Sequence, residues 1–225
     1  MWTASPTGKD LMPSAYSSFR RASPFNNKPF RPVPPEGPVP ARVYLIGERP
    51  GESEARAARP FVGISGKYLD LCLEAANVNR SDLRINNLVS TFTSYAKPTR
   101  EEIDRDHGAL VADIVDCSPE IIGLIGAWSV EHVLGRKPEL DKCHGVPVRV
   151  TELFGGELTG NWVILPMIHP ASAAHSPESL PLILDNVLTL GKLLDGEITP
   201  VQDEVTDDAL DYRIVNAKEL AAILR

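Results

Sequence analysis

The sequence predicts an α/β fold, a three-layer α/β/α sandwich built around a central, mostly parallel, four-stranded sheet. Two observations lead to this prediction. From residue 41 onward, short apolar runs alternate with segments that have the 3.6-residue period of amphipathic helices. The apolar runs are nearly continuous, which is typical of parallel strands that are buried on both faces. At 225 residues and 43% apolar content, the chain is long enough to bury one substantial core.

The individual elements follow from these patterns in order along the chain. Strands are predicted at 42–47 (RVYLIG), 83–89 (LRINNLV), 120–126 (EIIGLIG) and 161–167 (NWVILPM). Helices are predicted at 65–77, 99–116, 127–135 and 178–194. The helix at 99–116 has a clear start, because Thr99 is followed three residues later by Glu102 in the pattern of a capping box. Strands that alternate with helices in this way form parallel sheets through crossover connections.

The segments that flank this predicted domain, residues 41–195, differ from it in composition. Residues 1–40 contain nine prolines and carry five basic against two acidic side chains. They are expected to form a proline-rich basic arm that is extended or disordered. Residues 196–225 are acidic and end in a short amphipathic pattern, NAKELAAILR, which predicts a terminal helix.

Composition excludes several classes of protein. A formal net charge of −7 argues against a protein that coats nucleic acid through bulk electrostatics, so any such contact must be local. No apolar run reaches the roughly 18 to 20 residues of a bilayer span, and the first residues lack the apolar core of a secretory signal. We therefore expect a cytoplasmic monomer that does not contact a membrane.

The three cysteines are predicted to be reduced, buried thiols. Cys72, Cys117 and Cys143 are far apart in sequence and form no C-x-x-C pair. Cys143 is followed by His144, but two neighbouring ligands fall short of the four that structural zinc requires. No metal site is predicted.

Common nucleotide and hydrolase motifs are missing. A P-loop needs Ser or Thr after its Gly-Lys pair, whereas Gly66-Lys67 is followed by Tyr68. The stretch GISGK does not match the G-x-S-x-G turn of α/β-hydrolases, and no G-x-G-x-x-G occurs. ATP-binding, dinucleotide-binding and serine-hydrolase functions are therefore disfavoured.

Polar and aromatic side chains follow the predicted strands at the edge where open α/β sheets bind ligands. They are Glu48 and Phe61 after the first strand, Asn87 in the second and His169 after the fourth. An aromatic ring can stack on a nucleobase, and a carboxamide offers a donor and an acceptor to its edge. A histidine can donate to an oxygen that gains charge, and a carboxylate can orient water beside an oxocarbenium-like sugar. This set suits the recognition and cleavage of a nucleobase.

Several short motifs, in order and at matching spacing over about residues 41–195, resemble the uracil-DNA glycosylase superfamily. The likeness is strongest to its bacterial and archaeal branch related to family 4. The motifs are GERPGESEARAARPFVGISGKYLD, INNLVSTFTSYAKPTREEI, IIGLIGAWSVEHVLG, HGVPV and ILPMIHPASAAHSPES. The resemblance implies a monofunctional DNA glycosylase that flips uracil or a modified pyrimidine out of single- or double-stranded DNA. It would hydrolyse the N-glycosidic bond with water and leave an abasic site.

The resemblance also implies roles for single residues. Glu48 would assist water or stabilise the sugar cation, and His169 would stabilise the leaving base anion. Phe61 would stack on the flipped base, and Asn87 would read its edge. Asn86 competes for this reading role, because an alignment shifted by one residue exchanges the two.

Other predicted contacts lie around this group. Arg49 stands where the branch usually has Gly or Ala, and its guanidinium could clamp a phosphate or reach a polar group of the base. Gly51, Ser172 and His175 are expected to contact DNA, the last two within a loop at 171–177 that would enter the duplex.

The chain departs from the branch in two further respects. The branch carries four cysteines for an iron-sulfur cluster, two of them before the first strand, and this chain has none before Cys72. We therefore expect neither a cluster nor another cofactor. The loop after His169 carries only His175, where relatives often have Lys or Arg. These departures, together with Arg49 and the acidic net charge, raise a second possible substrate, a modified cytosine of viral DNA excised in a defence role.

Two other functions remain open at this point. One is a non-catalytic module that keeps the pocket to hold a base or a nucleotide, with the arm and the acidic tail serving protein partners. The other is an unrelated α/β nucleotide-binding enzyme. Each site residue also has a structural alternative: Phe61 could belong to the core, Glu48 or Asn87 to a turn, and His169 could satisfy a buried carbonyl.

Overall fold

The computed structural model describes residues 32–93 and 97–202, and within them the fold is α/β, as predicted. Six strands form one sheet in the order β2-β1-β3-β5-β4-β6. The strands are β1 (Val43–Gly47), β2 (Leu83–Asn87), β3 (Ile121–Ile125), β4 (Val148–Leu153), β5 (Leu158–Met167) and β6 (Val201–Gln202).

Helices cover both faces of the sheet and its carboxyl edge. The α-helices of the described residues are α1 (Glu52–Ala57), α2 (Ile64–Ala75), α3 (Arg100–Cys117), α4 (Ala127–Leu134), α5 (Leu140–Cys143), α6 (Ser172–His175) and α7 (Leu180–Leu194). Helix α3 begins with the predicted capping box: Thr99 Oγ1 accepts from the Glu102 N–H at 3.3 Å, and Glu102 Oε2 accepts from the Thr99 N–H at 2.9 Å. In the described part of the chain, no helix is both long and apolar enough to span a bilayer.

The four predicted strands are the adjacent parallel strands β2, β1, β3 and β5. Gly47 pairs with Asn87 in register, and Ile125 pairs with Met167. The carboxyl ends of these strands therefore meet at one edge of the sheet.

The sheet has two strands more than the four predicted. Strand β4 pairs antiparallel with β5, and the two-residue β6 pairs parallel with β4. The sequence of β4, VRVTEL, alternates apolar with polar residues and follows Pro147. Such a pattern belongs to a half-exposed strand, whereas the prediction sought continuous apolar runs.

Two hydrophobic layers enclose the sheet. Because side chains alternate along β1, Leu45 packs on one face with α2 and α7, and Ile46 packs on the other with α3 and α4. All five residues of β1 are buried. The buried strand therefore fixes the position at which the loop begins at Glu48.

The segment before β1 lies against the domain from Val33 onward. Val33 is buried, and its N–H donates to the Ser90 carbonyl at 2.7 Å. Glu36 pairs with Ile85 in an isolated antiparallel bridge. Hydrogen bonds from Arg59, and also from Arg80, lower the pKa of the Glu36 carboxyl to about 2 despite its partial burial.

The domain limits predicted at residues 41 and 195 stay a prediction. Most of the arm, residues 1–31, lies outside the described residues, as does the predicted terminal helix within 203–225.

Candidate active site at the carboxyl ends of the strands

A cleft of about 720 Å³ opens at the carboxyl edge of the parallel strands. It is lined by all eight predicted site residues: Glu48, Arg49, Gly51, Phe61, Asn87, His169, Ser172 and His175. Elements far apart in sequence thus bring together the side chains that the strand pattern had marked.

Glu48 follows β1 directly and lies at the N-terminus of α4. Its Oε1 accepts a hydrogen bond from the Trp128 N–H at 3.2 Å. Gly126 has a φ of 94°, and a Cβ at that position would collide with the Glu48 carboxylate. Burial raises the pKa of Glu48, while the Trp128 N–H and the charge of Lys97 act in the opposite direction. The carboxylate is thus fixed in place and has an increased affinity for a proton.

Phe61 adopts an unusual backbone conformation in the cleft wall. Its φ is 50°, in the left-handed region that costs a non-glycine residue about 1 to 3 kcal/mol. The Arg80 guanidinium holds this segment by donating to the carbonyls of Pro60 (2.8 Å) and Phe61 (3.2 Å). The ring packs over Gly47, where a Cβ would come within 2.6 Å of Cζ. Its centroid lies 6.1 Å from that of the His169 ring, so the two rings share one wall.

The two asparagines of β2 face opposite sides of the sheet. The Asn87 side chain lines the cleft, and its Oδ1 lies against Gly47 with no space for a Cβ between them. Asn86 points to the α3 side, where its Nδ2 donates to the Tyr44 hydroxyl at 3.0 Å. This geometry favours Asn87 over Asn86 as the residue that meets a ligand.

His169 follows β5 and is held by its own loop. The Ala171 N–H donates to His169 Nδ1 at 3.1 Å, so the neutral ring carries its proton on Nε2. Burial lowers the pKa of the imidazole to about 4, although the nearby charge of Glu54 opposes the shift. At neutral pH this side chain is therefore an uncharged donor through Nε2.

Arg49 connects the loop after β1 to the start of α3. Its Nη1 donates to Thr93 Oγ1 at 2.5 Å and its Nη2 to Glu102 Oε2 at 2.6 Å. The side chains of Arg49 and Glu102 are 8% and 14% exposed, so the ion pair is mostly shielded from water. Although burial raises the pKa of Glu102, hydrogen bonds from the Thr99 backbone and the charge of Arg49 bring it below its usual value. The same carboxylate thus caps α3 and holds Arg49 at the cleft.

The predicted DNA contacts form the rim of the cleft. Gly51 precedes α1, and the predicted loop at 171–177 contains the short helix α6, with His175 exposed at its end. Ser172 Oγ is buried and makes no hydrogen bond with the described residues.

Glu54 is a cleft residue that sequence reasoning missed. It is 5% exposed, and its Oε1 accepts from the N–H groups of Val62 (2.9 Å) and Gly63 (2.6 Å). A Cβ at Gly51 would lie 2.7 Å from its other oxygen. The carboxylate therefore fixes the segment that carries Phe61. The sequence alone does not reveal this role, because a charged helical residue normally faces water.

The cysteines do not fit an iron-sulfur cluster. A cluster of the family 4 type needs four thiolates, and the chain has three cysteines. Cys72, Cys117 and Cys143 are buried and unpaired on three different helices, and burial raises the pKa of each thiol. Across residues 32–93 and 97–202, no group of three or more His, Cys, Asp or Glu side chains is arranged to hold a metal ion.

Comparison with known proteins identifies the family of the chain. The family model of the uracil DNA glycosylase superfamily matches residues 34–187. The type-4 uracil-DNA glycosylase of Pyrobaculum aerophilum is 34% identical over 151 residues, which are 64% of this chain and 74% of that protein. The enzyme of the same name from Thermotoga maritima is 31% identical over 60% of this chain and 68% of its own length. That from Saccharolobus solfataricus is 30% identical over 69% and 81%. The chain therefore belongs to the uracil-DNA glycosylase superfamily and is a DNA N-glycosylase.

Proposed function

We propose that this chain is a monofunctional glycosylase that extrudes uracil or a modified pyrimidine from DNA and hydrolyses its N-glycosidic bond. The observation that carries the proposal is the convergence of Glu48, Phe61, Asn87 and His169 in one cleft. The names of the relatives support uracil as the base. Single- or double-stranded DNA is the expected substrate, and the monomeric state and cytoplasmic location stay predictions.

Capture of the base uses Phe61 and Asn87. An extruded pyrimidine stacks on the Phe61 ring, and such stacking contributes about 1 to 3 kcal/mol per base. The Asn87 carboxamide accepts the N3–H of uracil through Oδ1 and donates to a ring carbonyl through Nδ2. Both side chains are more than nine-tenths buried, so water competes little with these contacts.

Departure of the base uses His169. As the bond between C1′ and N1 breaks, its electron pair moves onto the base and negative charge grows on the carbonyl oxygen next to N1. The Nε2–H of the neutral imidazole donates to that oxygen and stabilises the anion. Because its pKa is about 4, the ring remains a hydrogen-bond donor and does not transfer its proton to the base.

Addition of water uses Glu48. The carboxylate stabilises the cationic sugar and accepts a hydrogen bond from the water that attacks C1′. The water oxygen bonds to C1′, and one of its protons passes to Glu48, whose pKa is raised by burial. The base leaves as an anion and takes up a proton from solvent, while Glu48 returns its proton to solvent. The products are the free base and an intact abasic strand.

The test is incubation with single- and double-stranded oligonucleotides that carry uracil, hypoxanthine, hydroxymethylcytosine or glucosylated hydroxymethylcytosine. Alkali cleavage then reports abasic sites, and mass spectrometry identifies the released base. We expect release of uracil by the wild type and its loss in Glu48→Gln. Glu120→Gln, an exposed carboxylate at the start of β3 that pairs with Arg42, is the matched control and should remain active.

Two other outcomes of this test separate the remaining functions. Release of hydroxymethylated or glucosylated cytosine would support the predicted role against modified viral DNA. A folded wild-type protein that releases no base from any substrate would contradict the proposal and favour the binding module.

A further inference from the structure

The backbone of Asn87 is held by the side chain of the residue before it. Strand β2 is the edge strand of the sheet, so its N–H groups that point away from β1 have no neighbouring strand. The outward N–H of Ile85 donates to the Glu36 carbonyl at 2.8 Å. The next outward N–H is that of Asn87, and it donates to Asn86 Oδ1 at 2.8 Å. A carboxamide thus replaces the missing strand at the residue that faces the cleft.

The Asn86 carboxamide is itself anchored on the α3 side of the sheet. Its Nδ2 donates to the Tyr44 hydroxyl at 3.0 Å, and that hydroxyl donates to Asp113 of α3. The Arg84 guanidinium completes the chain with two hydrogen bonds to the same carboxylate. Because a carboxylate can only accept, the Tyr44 hydroxyl donates to Asp113 and must accept from Asn86 Nδ2. The Asn86 carboxamide therefore has a single orientation, with its oxygen toward the Asn87 N–H.

Tyr44 and Asn86 are shielded from water, and Tyr44 keeps its proton. Tyr44 is fully buried and Asn86 is 8% exposed. Burial, together with the hydrogen bond to Asp113, raises the pKa of the Tyr44 phenol. The phenol therefore remains a donor at neutral pH.

We propose that Asn86 is a positioning residue for Asn87, and that Tyr44 and Asp113 hold Asn86 in that role. The inference rests on the proposed function, in which Asn87 reads the base. Asn86 lies on the opposite face of β2 and does not reach the cleft. Its contribution is to fix the Asn87 main chain, and with it the direction in which the Asn87 carboxamide meets the base.

This role differs from a general contribution to folding in what it changes. Replacement of a purely structural residue lowers the stability and leaves the chemistry of the folded fraction unchanged. Replacement of a positioning residue weakens the contact of Asn87 with the base and leaves the contacts with the DNA backbone intact. Such a replacement also has no further effect once the Asn87 side chain has been removed.

The experiment measures kcat, the inhibition constant of free uracil and the Kd for abasic-site DNA, at a temperature at which every variant is folded. Asn86→Ala should lower kcat and raise the uracil inhibition constant at least tenfold, with the Kd for abasic DNA changed less than twofold. Tyr44→Phe should give a smaller change in the same direction. Val133→Ala, a truncation in the same hydrophobic layer on α4, should lower Tm and leave kcat unchanged.

A double substitution provides the sharpest test. In the Asn87→Ala background, Asn86→Ala should change kcat less than twofold, because the side chain it positions is gone. The proposal is overturned if Asn86→Ala alone keeps kcat within twofold of the wild type. It is also overturned if the losses of the two single substitutions multiply in the double variant.

Amide hydrogen exchange keeps the two proposals separable. If the wild type releases no base from any of the substrates, the proposed function fails, and the exchange rate of the Asn87 N–H still tests the hydrogen bond. Asn86→Ala should speed this exchange at least tenfold relative to Val133→Ala. Equal rates in the two variants would overturn the positioning role.

Discussion

The Ala171 N–H donates a hydrogen bond of 3.1 Å to Nδ1 of His169, two residues before it. A protonated imidazole carries hydrogen on both nitrogens and cannot accept this bond. The loop after β5 therefore selects the neutral ring with its proton on Nε2. Burial favours the same neutral form, because it lowers the pKa of His169 to about 4.

This relationship predicts how the stability depends on pH. The pKa of His169 is lower in the folded chain than its ordinary value of about 6.5, so the unfolded state binds more protons between these values. The contribution of His169 to the free energy of unfolding is complete above pH 6.5 and decreases as the pH falls toward 4, by at most about 3 kcal/mol. Urea unfolding of the wild type and His169→Asn at pH 4 to 7 measures this contribution. A difference between the two proteins that does not vary with pH would contradict the assignment.

Replacement of Glu48 should separate chemistry from binding. Glu48→Gln keeps the size of the side chain and an oxygen that can accept from the Trp128 N–H. We expect kcat to fall about 10²- to 10⁴-fold, the usual contribution of a positioned base, and the Kd for uracil-containing DNA to change less than threefold. Single-turnover kinetics and fluorescence anisotropy measure the two quantities. A kcat close to that of the wild type would remove Glu48 from the mechanism.

The backbone of Phe61 predicts an inverted order of stability. At φ 50° a glycine is unstrained, whereas an alanine is not. Although glycine is the smaller residue, Phe61→Gly should be as stable as Phe61→Ala or more stable, with a free energy of unfolding up to about 1 kcal/mol higher. Both variants lose the stacking ring, so both should raise the inhibition constant of free uracil at least tenfold. Denaturant unfolding and inhibition assays test the two statements, and a clearly more stable alanine variant would contradict the first.

The pair of Arg49 and Glu102 predicts coupling between the cleft and α3. Arg49→Ala leaves a shielded carboxylate that still caps Thr99, so we expect a loss of about 2 kcal/mol, less than the roughly 3 to 5 kcal/mol for a fully buried pair. The double variant with Glu102→Ala should lose less than the sum of the single losses. If Arg49 also contacts the base, as the sequence predicts, Arg49→Ala alone raises the uracil inhibition constant. Strictly additive losses of stability would contradict the coupling.

Much of the site follows from the sequence because parallel strands end at the same edge. Glu48 and His169 come just after nearly continuous apolar runs, and Asn87 lies in the second predicted strand. The fold alone brings such positions together. Thr99 and Glu102 likewise predict the start of α3, because they form the local pattern of a capping box.

Strand β4 is absent from the prediction because it has the alternating pattern of a half-exposed strand, whereas the prediction relies on continuous apolar runs. Features that depend on contacts between distant residues cannot be predicted from local patterns. The burial of Glu54 depends on the approach of Gly51 and Gly63. The bond between Arg49 and Glu102 joins residues 53 positions apart. No local pattern reports such contacts.

The most direct test of the account is mass spectrometry of both products after incubation with a uracil-containing oligonucleotide, before any alkali is added. We expect free uracil together with a full-length abasic strand, in equal amounts. An unchanged oligonucleotide would contradict the excision of uracil, and a strand already cleaved at the abasic site would contradict hydrolysis by water alone.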